Sequence, residues 1–171
     1  SYRYGGKACI GTIFNLDKSV PKFEIKDVDG DGGGMLSTEI YSHATEISVQ
    51  CLQTQSCDDK AIFEYKGTGN GQHICAGQQS CKNMTITVEN HHTFTTDCIN
   101  QLSCFQAHSF YIHGALIENN TEYQYQHRCM VSSSCDEMTF NIFSGALLLS
   151  CYEDACCLLY TSDAADDVLC V

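Results

Sequence analysis

The sequence predicts an all-β fold, a right-handed parallel β-helix (β-solenoid) of about five disulfide-braced coils. Two observations lead to this prediction: a pair of cysteines recurs along the chain, and apolar residues alternate with polar ones on both sides of each pair. A short unit repeated at a nearly constant period buries its apolar face by stacking on its neighbours. The chain is therefore expected to form a rod of stacked coils.

The repeated motif is two cysteines six residues apart, with a small residue directly before the second. Successive pairs begin 24, 23, 31 and 22 residues apart, so one unit recurs with a single insertion, around residues 113–126. Insertions in solenoids lie in loops on one face, so this insertion is predicted to loop out at a corner. The small residue, serine in four units, is explained either by a tight turn or by hydrogen bonds from coil to coil. The five pairs are Cys51/Cys57, Cys75/Cys81, Cys98/Cys104, Cys129/Cys135 and Cys151/Cys157.

Alternation with a period of two residues is the pattern of β-strands, and it flanks each pair. The first cysteine of each pair falls on the apolar face of its strand and is predicted to point inward. In the unit after Cys104, the alternation requires a slip of one residue that turns Phe110 and Ile112 inward. A β-sandwich is the alternative fold, but it would need hairpin turns and cysteines that pair across sheets. After the second cysteine, the inward residues are clearest at Met84, Ile86, Val88, Met138, Phe140 and Ile142.

Two disulfide schemes are compatible with stacked coils. In the local scheme each pair closes its own loop, and Cys151 bonds either Cys157 or Cys156. In the vertical scheme equivalent cysteines of adjacent coils, about 4.8 Å apart, form the bonds, which leaves one of five unpaired in each column. The local scheme is favoured because it leaves none unpaired. Zinc binding by the repeated pairs is disfavoured, since zinc sites usually have gaps of two to four residues within a pair.

The composition indicates an extracellular or cell-surface protein. Thirteen cysteines in 171 residues are several times the ordinary usage, and their regular pairing indicates oxidised cross-links. A formal charge of -12 with only nine Lys and Arg residues disfavours nucleic acid as a partner. No apolar run is long enough to span a membrane.

A second motif lies ahead of the repeats, within residues 27–39. Three aspartates stand at alternating positions before a run of glycines, and clustered carboxylate oxygens are the ligands that calcium prefers. The motif resembles an EF-hand or dockerin-type calcium loop, although the closing glutamate comes at position 13 instead of 12. A solvated Asp/Gly turn is the alternative. The calcium ligands implied by the resemblance are Asp27, Asp29, Asp31, Gly33 and Glu39.

Two sequons, at Asn83 and Asn119, are predicted N-glycosylation sites. Asn119 lies in the insertion that is predicted to loop out. Asn83 directly precedes the inward residue Met84, so its side chain must point outward at a corner. Both sites fit a secreted eukaryotic protein.

The chain divides into three predicted parts. Residues 1–46 form an N-terminal segment that contains the calcium-like loop, and residues 47–157 form the β-helix repeats. Residues 158–171 resemble the in-frame translation of a sequencing adapter and are predicted to be a non-native tail, which would leave Cys170 without a partner. Both true termini are expected to lie outside this sequence.

The unit C-x4-S-C followed by alternating apolar residues resembles cysteine-rich repeat segments of predicted secreted or surface proteins from protists and other environmental organisms. The resemblance covers residues 47–157 and implies a disulfide-braced parallel β-helix. We predict an extracellular structural or adhesive module, calcium-stabilised and able to stack on itself or on neighbouring coils of a longer chain. The alternative is a carbohydrate-binding or polysaccharide-degrading β-helix protein with glycans as partners, by analogy of fold.

The sequence favours a non-enzymatic role because no catalytic constellation is recognisable in it. His91 and His92 are adjacent, so on a strand they face opposite sides. His73 and His127 each precede a first cysteine by two residues, but Thr96 holds that position in the coil between them.

Overall fold

The computed structural model describes residues 2–5, 9–29, 34–112, 124–143, 147–152, 160–162 and 168–170. Within them the strands form two sheets, and every pairing between neighbouring strands is parallel. The first sheet contains β1 (Tyr2–Gly5), β3 (Lys22–Asp29), β5 (Glu46–Cys51), β7 (Asn70–Cys75), β9 (Thr93–Cys98), β11 (Tyr125–Cys129), β13 (Leu147–Cys151) and β15 (Val168–Cys170). The second contains β2 (Ile13–Leu16), β4 (Glu39–Ser42), β6 (Ile62–Tyr65), β8 (Thr85–Glu89), β10 (His108–Ile112), β12 (Thr139–Ile142) and β14 (Tyr160–Ser162).

Each coil gives one strand to each sheet, and strands of successive coils are neighbours in both sheets. This is the topology of a β-solenoid, so the predicted fold class is confirmed. The first cysteines of the repeats stand in one column, since Cys51 is the register partner of Cys75, and Cys75 of Cys98. The column continues through Cys129 to Cys151.

Four disulfides follow the local scheme: Cys51–Cys57, Cys75–Cys81, Cys98–Cys104 and Cys129–Cys135. Their Cα atoms are 5.8 to 5.9 Å apart, within the usual range for a disulfide. The vertical scheme is wrong for these eight cysteines. The predicted partners of Cys151, namely Cys157 or Cys156, lie outside the described residues.

The core lies between the two sheets and consists of the inward residues of both. The predicted inward residues after the second cysteine, Met84, Ile86, Val88, Met138, Phe140 and Ile142, are all buried. Large rings fill the middle coils, where Tyr65 stacks on Phe94 with ring centroids 5.2 Å apart. Burial of apolar area at about 25 cal/mol per Å² makes this continuous core the main non-covalent source of stability.

The predicted inward positions of Phe110 and Ile112 are wrong. Strand β10 pairs with β8 without a slip, so Ser109 and Tyr111 are buried and Phe110 and Ile112 are partly exposed. A one-residue slip would move every side chain of the strand to the opposite face. Tyr111 can point inward because its ring is apolar and its hydroxyl has a hydrogen-bond partner inside, His127. Phe110 instead stacks on the exposed Phe143 of the next coil at 6.3 Å.

The corner after the second cysteine repeats one backbone conformation in three successive coils, those of Cys81, Cys104 and Cys135. The residue two before the next strand has a positive φ, 56° at Asn83, 56° at Gln106 and 55° at Glu137. A turn hydrogen bond to the second cysteine's carbonyl accompanies it, from Met84 to Cys81 and from the equivalent residues of the two following coils.

The same corner occurs twice in the predicted N-terminal segment. Thr12 N–H donates to the Cys9 carbonyl, and Thr38 N–H donates to the Met35 carbonyl. Met35 therefore takes the place of a second cysteine and is buried. Strands from both flanking parts, residues 1–46 and 158–171, belong to the same two sheets as the repeats.

A second turn lies between the two cysteines of each pair. The serine directly before the second cysteine closes it through its backbone N–H; Ser80, for example, donates to the Gly77 carbonyl at 3.2 Å. The side-chain hydroxyls are buried and make no hydrogen bond with any described residue. The tight-turn explanation of the small residue is therefore the better one. The serines are Ser56, Ser80, Ser103 and Ser134.

Candidate functional sites

The interior contains two histidines that the strand register places in one column. His73 is the partner of Val49 on one side and of Thr96 on the other, and Thr96 is the partner of His127. The two histidines are thus two coils apart with a threonine between them, as predicted. Both side chains are 0% exposed. They lie beside the column of disulfides, because each precedes a first cysteine by two residues.

His73 is held between a tyrosine and two disulfides. Its Nδ1 is 2.7 Å from the hydroxyl of Tyr65. Its Nε2 faces Cys51 Sγ of the preceding coil at 3.7 Å and Cys81 Sγ of its own coil at 3.5 Å. The ring also packs edge-on against Phe63 at 4.6 Å. We call this arrangement the first His–disulfide stack.

His127 repeats this geometry two coils further on. Its Nδ1 is 2.7 Å from the hydroxyl of Tyr111, and its Nε2 faces Cys98 Sγ at 3.3 Å and Cys135 Sγ at 3.8 Å. Phe140 packs edge-on against the ring at 4.7 Å. In this second His–disulfide stack the tyrosine hydroxyl has another neighbour, the Thr96 hydroxyl at 3.2 Å.

Partner chemistry fixes the tautomer of both histidines. A disulfide sulfur carries no hydrogen, so it can only accept a hydrogen bond and Nε2 must carry the proton. Nδ1 then accepts a hydrogen bond from the tyrosine O–H. Burial lowers the pKa of His73 and of His127 to about 3, because the charged imidazolium would lose its hydration. Burial raises the pKa of both tyrosines, so all four groups are neutral at ordinary pH.

The tyrosines of these stacks were missed by the sequence analysis. Each lies on the second sheet while its histidine lies on the first, and only the folded coil brings them together. Tyr65 precedes His73 by 8 residues, whereas Tyr111 precedes His127 by 16 because the insertion intervenes. No constant spacing therefore marks the pair.

The predicted calcium ligands are only partly within the described residues. Asp31 and Gly33 lie outside them, and the side chain of Asp29 is not described. Asp27 is buried, and its Oδ2 accepts a hydrogen bond from the Gln53 N–H at 3.2 Å. Glu39 lies on the other sheet, where its Oε2 accepts a hydrogen bond from the Tyr41 hydroxyl at 2.9 Å. The calcium site stays a prediction.

Asp27 occupies the column of the first cysteines. It follows Lys26, the register partner of Gln50, and so stands beneath Cys51. A Cβ atom on Gly34 would lie 2.9 Å from Asp27 Oδ1, so the missing side chain of that glycine leaves the space that the carboxylate fills. A buried carboxylate thus stands in the column that disulfide sulfurs occupy in the following coils.

The outward face of the first sheet bears a polar groove of about 220 Å³, which we call the sheet-face groove. Two of its residues are linked by a hydrogen bond from Gln72 Nε2 to Ser48 Oγ at 2.8 Å, and a third, Asn70, accepts one at Oδ1 from Thr93 Oγ1 of the next coil at 2.8 Å. Outward amides and hydroxyls of this kind can hydrogen-bond sugar hydroxyls. The lining residues are Lys22, Glu46, Ile47, Ser48, Asn70, Gly71 and Gln72.

Of the two predicted glycosylation sites, Asn83 is exposed at its corner, as its position before Met84 required. Its backbone N–H donates to the Phe105 carbonyl of the next coil at 3.0 Å, while its side chain is exposed to solvent. Asn119 lies outside the described residues.

Within the described part of the chain, no helix is long and apolar enough to cross a membrane. No family model, curated protein or solved structure matches the chain.

Proposed function

We propose that the chain is an extracellular structural module that adheres to copies of itself. The observation that carries this proposal is that the ionisable side chains of the two His–disulfide stacks are enclosed in the core and serve to hold the coils together. His73 and His127 are fully buried, neutral and held between tyrosines and disulfides, so they brace the coils and are closed to a substrate. Four disulfides close successive coils, which suits the oxidising conditions outside cells.

Adhesion is supported by a column of exposed apolar side chains, which we call the apolar ridge. It consists of Ile99, Met130 and Tyr152, the residues that follow three successive first cysteines. Their exposed fractions are 40%, 37% and 50%. The backbone ladder continues through them, since Met130 N–H donates to the Cys98 carbonyl and Tyr152 N–H to the Cys129 carbonyl. Contiguous exposed apolar residues are typical of interaction surfaces.

Sedimentation velocity over a range of concentrations tests this function. We expect the wild-type chain to form larger species as its concentration rises, and Met130→Asp to weaken this association at least tenfold. Gln101→Asp is the matched control, because it adds the same charge at an exposed polar position between the two cysteines of the preceding coil. Equal behaviour of the two variants, or a monomer at every concentration, would contradict adhesion through the ridge.

Calcium stabilisation is part of the proposal and is supported by the aspartates of the loop. The Asp27 carboxylate bonds the next coil through the Gln53 N–H, so a cation that neutralised the aspartates that follow it in sequence would stabilise this part of the chain.

Carbohydrate binding is the second candidate, and the sheet-face groove is the observation that favours it. A glycan array tests it directly, with Gln72→Ala to remove an outward amide of the groove and Thr87→Ala, on the second sheet, as the control. Hits that Gln72→Ala abolishes and Thr87→Ala retains would establish a glycan site. An array without hits would remove this candidate.

A further inference from the structure

We propose that the two His–disulfide stacks are latent zinc sites: when a dithiol or phosphine reductant opens their disulfides, each stack binds one zinc ion through three thiolates and its buried histidine. The first site would consist of Cys51, Cys57, His73 and Cys81. At the second site, His127 lies within 4.8 Å of two pairs of sulfurs, Cys98 with Cys104 and Cys129 with Cys135. A third thiolate from the other pair would complete the ligands there after a larger movement than in the first stack. These ligands come from two adjacent coils, unlike a site formed within one cysteine pair.

The positions of the ligand atoms carry the proposal. In the first stack, the three sulfurs and the histidine nitrogen all lie within 4.8 Å of one another. Tetrahedral zinc with Zn–S bonds of about 2.3 Å places its sulfurs about 3.8 Å apart. Separations that reach 4.8 Å must therefore shorten by about 1 Å, and the two sulfurs of the opened Cys51–Cys57 bond must move apart to the same separation. His73 Nε2, at 3.5 and 3.7 Å from two of the sulfurs, is already near the required separation.

The hydroxyl beside each histidine supplies the outer contact that zinc-bound histidines normally have. Zinc on Nε2 requires the proton on Nδ1. The Tyr65 hydroxyl lies 2.7 Å from that atom and can accept a hydrogen bond as readily as it donates one. The same holds for Tyr111 beside His127. Tautomer exchange thus needs no movement of either ring.

A dithiol reduces each disulfide to two thiols and leaves as its own cyclic disulfide, with two electrons and two protons transferred to the protein. A phosphine gives the same two thiols and leaves as the phosphine oxide, taking its oxygen from water. Zinc then displaces the protons of three thiols while the neutral histidine donates its lone pair. Each zinc bound therefore releases three protons.

The coil between the two stacks limits the number of sites. Thr96 takes the histidine position there, between the disulfides Cys75–Cys81 and Cys98–Cys104. A threonine hydroxyl is a poor zinc ligand beside thiolates. Two histidine-dependent sites are therefore expected, and zinc is expected to preserve the β-fold of the reduced chain.

Cobalt(II) is the probe, since tetrahedral thiolate coordination gives it characteristic absorption bands. The full chain is reduced with a phosphine, loaded with cobalt and then titrated with zinc, while circular dichroism follows the fold. We expect His73→Gln and His127→Gln each to remove one equivalent of tetrahedral cobalt or to weaken it 10- to 100-fold. Thr96→Val is the control and should retain both equivalents.

Tyr65→Phe keeps every ligand of the first site and removes only the hydroxyl on Nδ1. We expect it to weaken zinc binding at that site about tenfold with the fold intact, which separates a ligand effect from misfolding. Cobalt binding that is independent of both histidines would overturn the proposal, because it would come from other cysteines. A reduced chain that zinc does not restore to β-structure would overturn it as well.

Discussion

Lowering the pH should destabilise the protein through the histidines of the two His–disulfide stacks, His73 and His127. In the folded chain the pKa of each is about 3, whereas an unperturbed histidine has a pKa of 6.5. Between these values the unfolded chain binds a proton at each histidine and the folded chain does not. Linkage then requires the free energy of unfolding to fall as the pH falls from 6.5 towards 3.

The size of this effect follows from the same two pKa values. At pH 5 the unfolded state gains about 2 kcal/mol per histidine relative to pH 7, on the linkage relation. Two independent histidines therefore lower the free energy of unfolding by about 4 kcal/mol. Such a loss is a large part of the 5 to 15 kcal/mol typical of domains.

Urea denaturation with the disulfides intact, at pH 7 and pH 5, measures the loss. The comparison variant replaces both Tyr–His pairs by the apolar pair of a later coil, Ile142 and Leu149, giving Y65I, H73L, Y111I and H127L. Removing both partners of each Tyr–His hydrogen bond leaves neither of those groups unsatisfied, and the lost contact between Tyr111 and the Thr96 hydroxyl does not depend on pH. We expect the wild type to lose about 4 kcal/mol more than this variant.

His92→Gln is the matched control, because it removes an exposed imidazole and leaves both His–disulfide stacks unchanged. It should lose as much stability between the two pH values as the wild type does. If the four-substitution variant showed the wild-type pH dependence, the buried neutral histidines could not be its cause.

Three further predictions concern the corners of the coils. Gly77→Ala should lower the free energy of unfolding by about 3 kcal/mol, because its Cβ would lie 2.0 Å from the Gln53 carbonyl oxygen, a backbone atom that cannot rotate away. Millimolar calcium should raise the melting temperature by several degrees, and Asp31→Asn should reduce that rise, as scanning calorimetry can measure. Expression in a eukaryotic secretory pathway should add a glycan at Asn83 that Asn83→Gln abolishes, as intact-mass spectrometry can show.

Each of these predictions has a control or a contrary outcome. Gln78→Ala shortens an exposed side chain beside Gly77 and should leave stability unchanged; equal destabilisation of both variants would exclude the proposed clash. Magnesium at the same concentration controls for ionic strength, and an equal shift with both ions would argue against a calcium loop. An unglycosylated Asn83 would mean that its corner is closed to the transferase.

The stacking of coils and the local disulfides could be predicted because their signals are local. A spacing of six residues between cysteines matches the span of one corner, and period-two alternation identifies the inward face of each strand. The alternation of apolar residues predicts the wrong register at Phe110, because tyrosine is less apolar than phenylalanine and Tyr111 is therefore not recognised as an inward residue. Backbone pairing with β8 decides the register instead, and the interior satisfies the tyrosine hydroxyl.

The Tyr–His–disulfide arrangement could not be predicted, because it joins residues from both sheets and two coils. The position of His73 two residues before Cys75 was visible, but its hydroxyl partner depends on the length of the corners. Coils that lack a cysteine pair could not be recognised from the sequence either. Asp27 and Met35 hold the two cysteine positions in one such coil, and only the register identifies them.

Disulfide mapping by mass spectrometry tests most directly the claim that each coil is closed by its own bond. Trypsin cuts after Lys60, Lys66, Lys82 and Arg128, so the peptides 27–60, 67–82 and 83–128 each contain one complete cysteine pair. After unreduced digestion with thiols blocked, we predict three unlinked peptides, each lighter than its reduced form by two hydrogen atoms. Peptides joined to one another, or blocked thiols at these six cysteines, would contradict the disulfide-braced solenoid.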